Sequence, residues 1–312
     1  MRRYSLIGSC TLLLALPACS PDGRQDVDVP EARTSESEPR LRVLTVNYPL
    51  AYFAGRIGGD ETDVRYPGPE DEDPAFWRPT PDEIADFQAA DLVLLNGAGY
   101  AAWTEKASLP PSRLVNTTAA AADRYIQEAE TVVHAHGPEG EHEHGKLAFT
   151  TWLDPMIALV QARAIRDALI ARRPEASAGF EARFEALEDD LLDLDDALTR
   201  AAEGMNGRPL LGSHPVYQYL AARYGLDLRS VHFEPDEVPD AGAWAELERL
   251  LAERPAGIMI WEAEPLPEVA TRLQSEHGIR SVVVSPCANG CDVDDYMVMM
   301  RENAQRLSSL AD

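Results

Sequence analysis

The chain is 312 residues long and strongly acidic, with 53 Asp and Glu against 28 Lys and Arg and a formal net charge of −25 at pH 7. A surface of that sign repels phosphate backbones and anionic headgroups, which excludes nucleic acid and an anionic membrane surface as partners. It concentrates cations near the protein, as any acidic surface does.

The first residues place Arg2 and Arg3 ahead of an apolar run from Leu6 to Leu16, the layout of an export signal and too short to span a bilayer stably. The run ends at Leu16-Pro17-Ala18-Cys19, which resembles a bacterial lipobox. On that reading residues 1–18 are a lipoprotein signal peptide and Cys19 becomes the lipid-bearing N-terminus. An ordinary secretory cleavage site beside an incidental cysteine is the alternative. Residues 20–40 hold almost no large apolar side chains, so 19–40 read as the lipidated cysteine and a disordered tether. The rest is expected to be a soluble body held at the membrane by acyl chains.

From Leu41 to Asn47 a Val- and Leu-rich run predicts a strand, Tyr52 to Ile57 a short helix ending at Gly58-Gly59, and Thr62 to Tyr66 a second strand. A Pro-rich acidic loop, Pro67 to Thr80, leads to a helix with Thr80 as N-cap, Pro81 at its first position and acids in its first turn. Asp91 to Asn96 reads as a buried strand and Arg113 to Asn116 as a short one. Between Asp154 and Ala202 the chain is expected to be helical, interrupted at Pro174, with Phe180, Phe184, Leu187, Leu191, Leu194 and Leu198 on one face. Strands follow at Arg208 to Gly212, Leu228 to His232, Gly257 to Trp261 and Arg280 to Ser285, with helices starting near Pro215, Ala241 and Pro267. A last helix runs from Asp295 to Leu310. The alternation predicts an α/β fold of two lobes with mainly parallel sheets. The N-terminal lobe is 41–150, the connecting helices 151–206 and the C-terminal lobe 207–312.

Four of the seven histidines, His134, His136, His142 and His144, crowd into the stretch from Thr131 to Lys146 (131–146). Imidazole is the commonest protein ligand for zinc and suits copper and nickel. Gly137, Pro138 and Gly140 argue against regular structure, so the stretch is expected to be a loop that wraps an ion or is merely solvated. Cys287 and Cys291 flank an Asn289-Gly290 turn, and in an exported protein a disulfide between them is the default; a thiolate metal site would need reducing conditions. No nucleophile elbow, phosphate-cradling glycine loop or His-Glu-x-x-His run is present, so no catalysis is expected.

Several short motifs stand in a telling order: Asp91-Leu-Val-Leu-Leu-Asn-Gly97 before a helix bearing Trp103, then Trp152-Leu-Asp-Pro155 after the histidine-rich stretch, then His214-Pro-Val-Tyr-Gln-Tyr-Leu-Ala-Ala-Arg-Tyr-Gly-Leu226, then Tyr296 to Leu307. In this order the chain resembles the metal-binding (zinc and manganese class, cluster A-I) solute-binding lipoproteins of ABC importers, a family with adhesion-like members. The resemblance implies a long connecting helix and a ligand cleft between the lobes. It also implies a monomeric periplasmic or cell-surface lipoprotein that captures Zn2+, Mn2+ or another divalent transition metal for an ABC permease. Carried over residue by residue, His214 matches the third of the family's four ligands. Ala75, Thr150 and Ser285 stand where the other three are expected. Neither alanine nor a neutral hydroxyl replaces imidazole or carboxylate for such an ion. Two repairs are open: the loop histidines fold back to His214, or Glu262, where the family places a conspicuous acid, and Asp73 and Glu72 beside the vacant first slot contribute. The alternative is a fold that has lost the metal site and binds another ligand, or serves as a sensor or assembly factor. His232 and His277 read as ordinary surface or strand-end residues, and Trp77, Trp103, Trp152 and Trp261 as core, with Phe76 and Trp77 also candidates to line an altered cleft.

Overall fold

Asn96 organises the N-terminal half of the molecule, which is seen here in a computed structural model that describes residues 39–69, 73–127, 147–290 and 295–310, and the backbone alone of 133–135 and 141–143. The Asn96 side chain is fully buried. Its amide oxygen accepts from Asn47 Nδ2 (3.3 Å), Thr151 Oγ1 (3.2 Å) and Gln161 Nε2 (3.0 Å), and its amide nitrogen donates to the Phe149 carbonyl (2.8 Å). Buried polar groups are tolerated only when so satisfied. The Gly97 that follows has φ +80°, and a Cβ there would lie 2.1 Å from Thr118 Oγ1. Only glycine combines that backbone with that approach.

Strands β1 (Leu41–Thr45), β2 (Thr62–Arg65), β3 (Leu92–Leu95) and β4 (Leu114–Asn116) form a parallel sheet in the order β2-β1-β3-β4. A second parallel sheet has the order β10-β9-β7-β8, from β7 (Leu210–Gly212), β8 (Leu228–Ser230), β9 (Ile258–Trp261) and β10 (Arg280–Val283). In each sheet the strand order reverses about a central strand pair, and in open α/β sheets ligands sit outside the carboxyl ends of strands at such a switch point. The two-lobed α/β architecture matches the expectation.

Helix α1 spans Tyr48–Gly58, four residues earlier than expected (48 against 52), because Asn47 caps it by accepting from Leu50 N and Pro49 sits in its first turn. Proline here opens a helix and does not merely end a strand. Helix α2 (Pro81–Ala89) has the full capping box between Thr80 and Glu83, and α3 is the short Trp103–Lys106. In the histidine-rich stretch, β5 (Val133–Ala135) and β6 (Glu141–Glu143) form an antiparallel ladder with His134 opposite His142. That corrects the expected absence of regular structure: in sequence the glycines and Pro138 fall between the two short strands and not within them. Residues 1–38 with Cys19, and Glu72, His136, His144 and Cys291, lie outside the described residues.

Helices α4 (Pro155–Arg172) and α5 (Ser177–Met205) join the lobes. Asp154 caps α4 by accepting from Met156 N (2.8 Å) and Ile157 N (3.4 Å), with Pro155 at the first position. Helix α5 buries Phe180, Phe184, Leu187, Leu191, Leu194, Leu198, Ala201 and Met205, an alternating four- and three-residue spacing that keeps one stripe facing inward. It packs on α1, α4 and α9 (Tyr296–Ser308). The remaining helices, α6 (Gln218–Tyr224), α7 (Ala241–Glu253) and α8 (Pro267–His277), flank the second sheet; α6 begins past the expected Pro215. Among the described residues no helix is long and apolar enough to cross a membrane.

Leu191 is fully buried in the core shared by α5 and both lobes. Leu191→Ala is expected to cost roughly 2–5 kcal/mol of folding stability, read as a lower urea midpoint with little change in m.

Candidate functional site

The carboxyl ends of the two sheets border one cleft of about 1030 Å³. The five-residue segment 150–154 fixes how they meet. Thr150 Oγ1 donates to the Val216 carbonyl (2.5 Å). The Trp152 indole, fully buried, donates to the Pro286 carbonyl (2.7 Å), and its own carbonyl accepts from Tyr296 Oη (3.0 Å). Asp154, beyond capping α4, pairs with Arg124 (2.5 Å) and lies 3.7 Å from Arg223. Tyr48 N donates to Ala288 O (3.0 Å), and Tyr219 Oη to Ala148 O (2.9 Å). The Thr150, Tyr48 and Tyr219 bonds join one lobe to the other, and Trp152 and Asp154 tie the connecting segment to both, so the Trp-Leu-Asp-Pro motif pins the lobes together.

His214 follows β7, is 7% exposed and lines this cleft. Its Nδ1 lies 3.2 Å from Glu234 Oε1 and 3.9 Å from Glu262 Oε1. Glu262 follows β9, and Glu234 stands on the extended segment after β8. Asp73, from the acidic loop, lines the same cleft. Burial works against the imidazolium, but the Glu234 hydrogen bond and the charges of Glu262, Glu234 and Asp73 outweigh it, so the His214 pKa is raised. Burial, with the charges of Asp73 and Glu234, pushes Glu262 up to about 7, against the pull of His214. One imidazole and two carboxylates thus stand at the strand ends, with Asp73 lining the same cleft, a negatively charged setting that attracts cations.

Two of the three positions expected to be vacant, Thr150 and Ser285, line this cleft. Thr150 is committed to Val216, and the Ser285 Oγ accepts from Cys287 N (3.3 Å). Ala75 is buried beside Phe76, its amide donating to Asp73 Oδ1 (2.9 Å). Among the described residues no group of three or more His, Cys, Asp or Glu is arranged to hold a metal ion. The structure therefore unites His214 with Glu262, while of the loop histidines it gives only the backbone register of His134 and His142. The Cys287 sulfur is buried, 3.8 Å from Ser285 Oγ, and its expected disulfide partner Cys291 is outside the described residues.

Glu234 escaped the sequence reading. The available signal was its place two residues after His232 on an extended segment, since alternate residues share a face. His232 is itself more than a strand-end residue: its ring packs edge-on against that of His214, with centroids 5.4 Å apart. Trp152 and Trp261 are core, as expected, and Phe76 and Trp77 line the cleft.

Both raised pKa values make the folded state bind protons more tightly than the unfolded chain, so their contribution to stability is full at low pH. For Glu262 it is present below the ordinary carboxylate range and lost as pH rises through about 7. The difference in Tm between the unmodified protein and Glu262→Gln is expected to shift in favour of Gln between pH 4.5 and 7.5; parallel Tm profiles would contradict the assignment.

The family model described as ZnuA, zinc-uptake complex component A, periplasmic, matches residues 43–310. The zinc-binding lipoprotein AdcA of Streptococcus pneumoniae is 25% identical over 322 aligned residues, covering all of this chain, and the chain spans 62% of that lipoprotein's length. The high-affinity zinc uptake system protein ZnuA of Bacillus subtilis is 27% identical over 292 residues, covering 90% of this chain and 86% of that protein. In fold, the Zn(II)-bound ZnuA-like domain of S. pneumoniae AdcA superposes with a TM-score of 0.73 at 22% identity, over 88% of this chain and 100% of that one. The metal-dependent lipoprotein YcdH of B. subtilis gives 0.72 at 24%, over 86% and 98%.

Proposed function

The chain belongs to the periplasmic zinc-uptake component A family, and from that premise we propose that it is an extracytoplasmic metal receptor, a binding component and not an enzyme. It captures a divalent transition ion, zinc first, and delivers it to an ABC permease, acting as a monomer tethered through lipidated Cys19 at the periplasmic or cell surface. The lobes 41–150 and 207–312 grip the cargo, and the Cys287–Cys291 pair closes as a disulfide. The single observation that carries the reading is His214 buried at the strand ends of the interlobe cleft beside Glu234 and Glu262.

The ligand set of the family is altered here. Alanine at 75 and hydroxyls at 150 and 285 leave His214 as the retained imidazole, with Glu262, Glu234 and Asp73 as the donors near it. The loop histidines His134, His136, His142 and His144 supplement this set as a collecting arm. A site with more oxygen and less nitrogen tolerates manganese better than an all-imidazole site does.

Coordinating groups must be deprotonated, and the carboxylates that raise the His214 pKa make protons stronger competitors. Zinc affinity is expected to fall at least tenfold from pH 7.5 to pH 6, by calorimetry with elemental analysis. His214→Ala is expected to abolish binding that survives removal of the loop histidines. Unchanged zinc affinity in that variant would remove the cleft from the account.

A further inference from the structure

The cleft around His214 is far larger than one ion needs. Its roughly 1030 Å³ matches the upper end of small-molecule sites, roughly 300–1,000 Å³. Glu234 and Glu262 both face Nδ1 of His214, at 3.2 and 3.9 Å. Among the described residues no three metal-binding side chains are grouped as ligands. Zinc takes about four donors. The described side chains as arranged group fewer donors than zinc takes, and a ligand that brings its own donors would complete the set.

The walls fit an organic companion. Phe149 meets Phe76 and Tyr100 edge-to-face, with centroids 5.9 and 5.4 Å apart, and all three line the cleft. Tyr100 is 5% exposed, and its buried hydroxyl has no hydrogen-bond partner among the described residues. A buried polar group left without a partner calls for an explanation, and a ligand is one. Arg78 also lines the cleft and makes no ion pair among the described residues, while Glu234 and Glu237 line it too. A molecule carrying a carboxylate and an amine finds both complements there: a guanidinium fork for the first and carboxylates for the second.

We propose that the cleft takes its metal as a complex with a small chelator of the amino-acid class, whose amine has released its proton to solvent on coordinating the ion, His214 supplying a protein ligand, Arg78 and Tyr100 holding the chelator. This rests on the metal-receptor reading and names its cargo. The test uses residues 40–312, one compact unit that carries the whole described core, with His134, His136, His142 and His144 replaced by Ala to silence the loop. Calorimetry and native mass spectrometry would compare zinc alone, zinc with two equivalents of L-histidine, and L-histidine alone, with circular dichroism confirming the fold of each variant. The expected result is at least tenfold tighter binding of the zinc–histidine complex than of zinc, with histidine retained in the mass of the zinc-loaded protein. Tyr100→Phe and Arg78→Gln should each reduce that gain. If histidine only competes zinc away from a protein that holds the bare ion, the proposal fails and the receptor reading stands. If neither zinc arm binds, or histidine alone binds as tightly, both fail.

Discussion

The indole N–H of Trp152 has one direction in which to donate, and the acceptor it finds is the Pro286 carbonyl of the opposite lobe, 2.7 Å away. Around that bond the rest of the cleft is fixed. Trp152 is fully buried, so losing the acceptor would strand a donor in an apolar setting at a cost of about 1–3 kcal/mol. Thr150 on one side and Asp154 on the other are then held in place, the first against Val216 and the second at the head of α4. The carbonyl side is held as firmly, since Asn303 bonds both the amide and the carbonyl of Ser285, next to Pro286. The lobes meet through directed hydrogen bonds as well as apolar packing, and this suits small, defined movements better than wide opening.

Two parallel sheets whose carboxyl ends border one space create a site almost irrespective of which side chains fill it. What differs between members of such a fold is the chemistry placed at the strand ends. Here the loop after β7 supplies a histidine, those after β8 and β9 supply glutamates, and that after β10 supplies Ser285 and Cys287. The result is a negatively charged, partly aromatic cleft in an acidic protein, in which a buried imidazole faces two carboxylates through its Nδ1. His214 and Glu262 are each shifted by the other's charge, so they titrate as a coupled pair and not as independent groups.

Much of the fold was legible in the sequence because its signals are local. Thr80-Pro81-Asp82-Glu83 declares a helix start, and the spacing from Phe180 to Leu198 declares a buried stripe; both stand as read. The start of α1 was misplaced because Pro49 reads equally as a strand's end or a helix's first turn, and the Asn47 cap decides it. In the histidine-rich stretch the glycines drew attention away from two three-residue strands that need only each other. The site was half legible. His214 and Glu262 each follow an apolar strand, whereas Glu234 and Asp73 sit in polar stretches, and only the fold brings residues 73, 214, 234 and 262 to one cleft. Sequence alone also gave no reason for Thr150; the structure shows its hydroxyl spent on the lobe interface.

The central claim is that the metal is held in the cleft by His214 and not by the histidine-rich stretch alone. Anomalous diffraction at the zinc edge, from crystals of the zinc-loaded protein, tests it directly. The account predicts a peak at coordination distance from the His214 imidazole, within the space bordered by Glu234 and Glu262. A peak confined to the histidine-rich stretch, with none in the cleft, would contradict it.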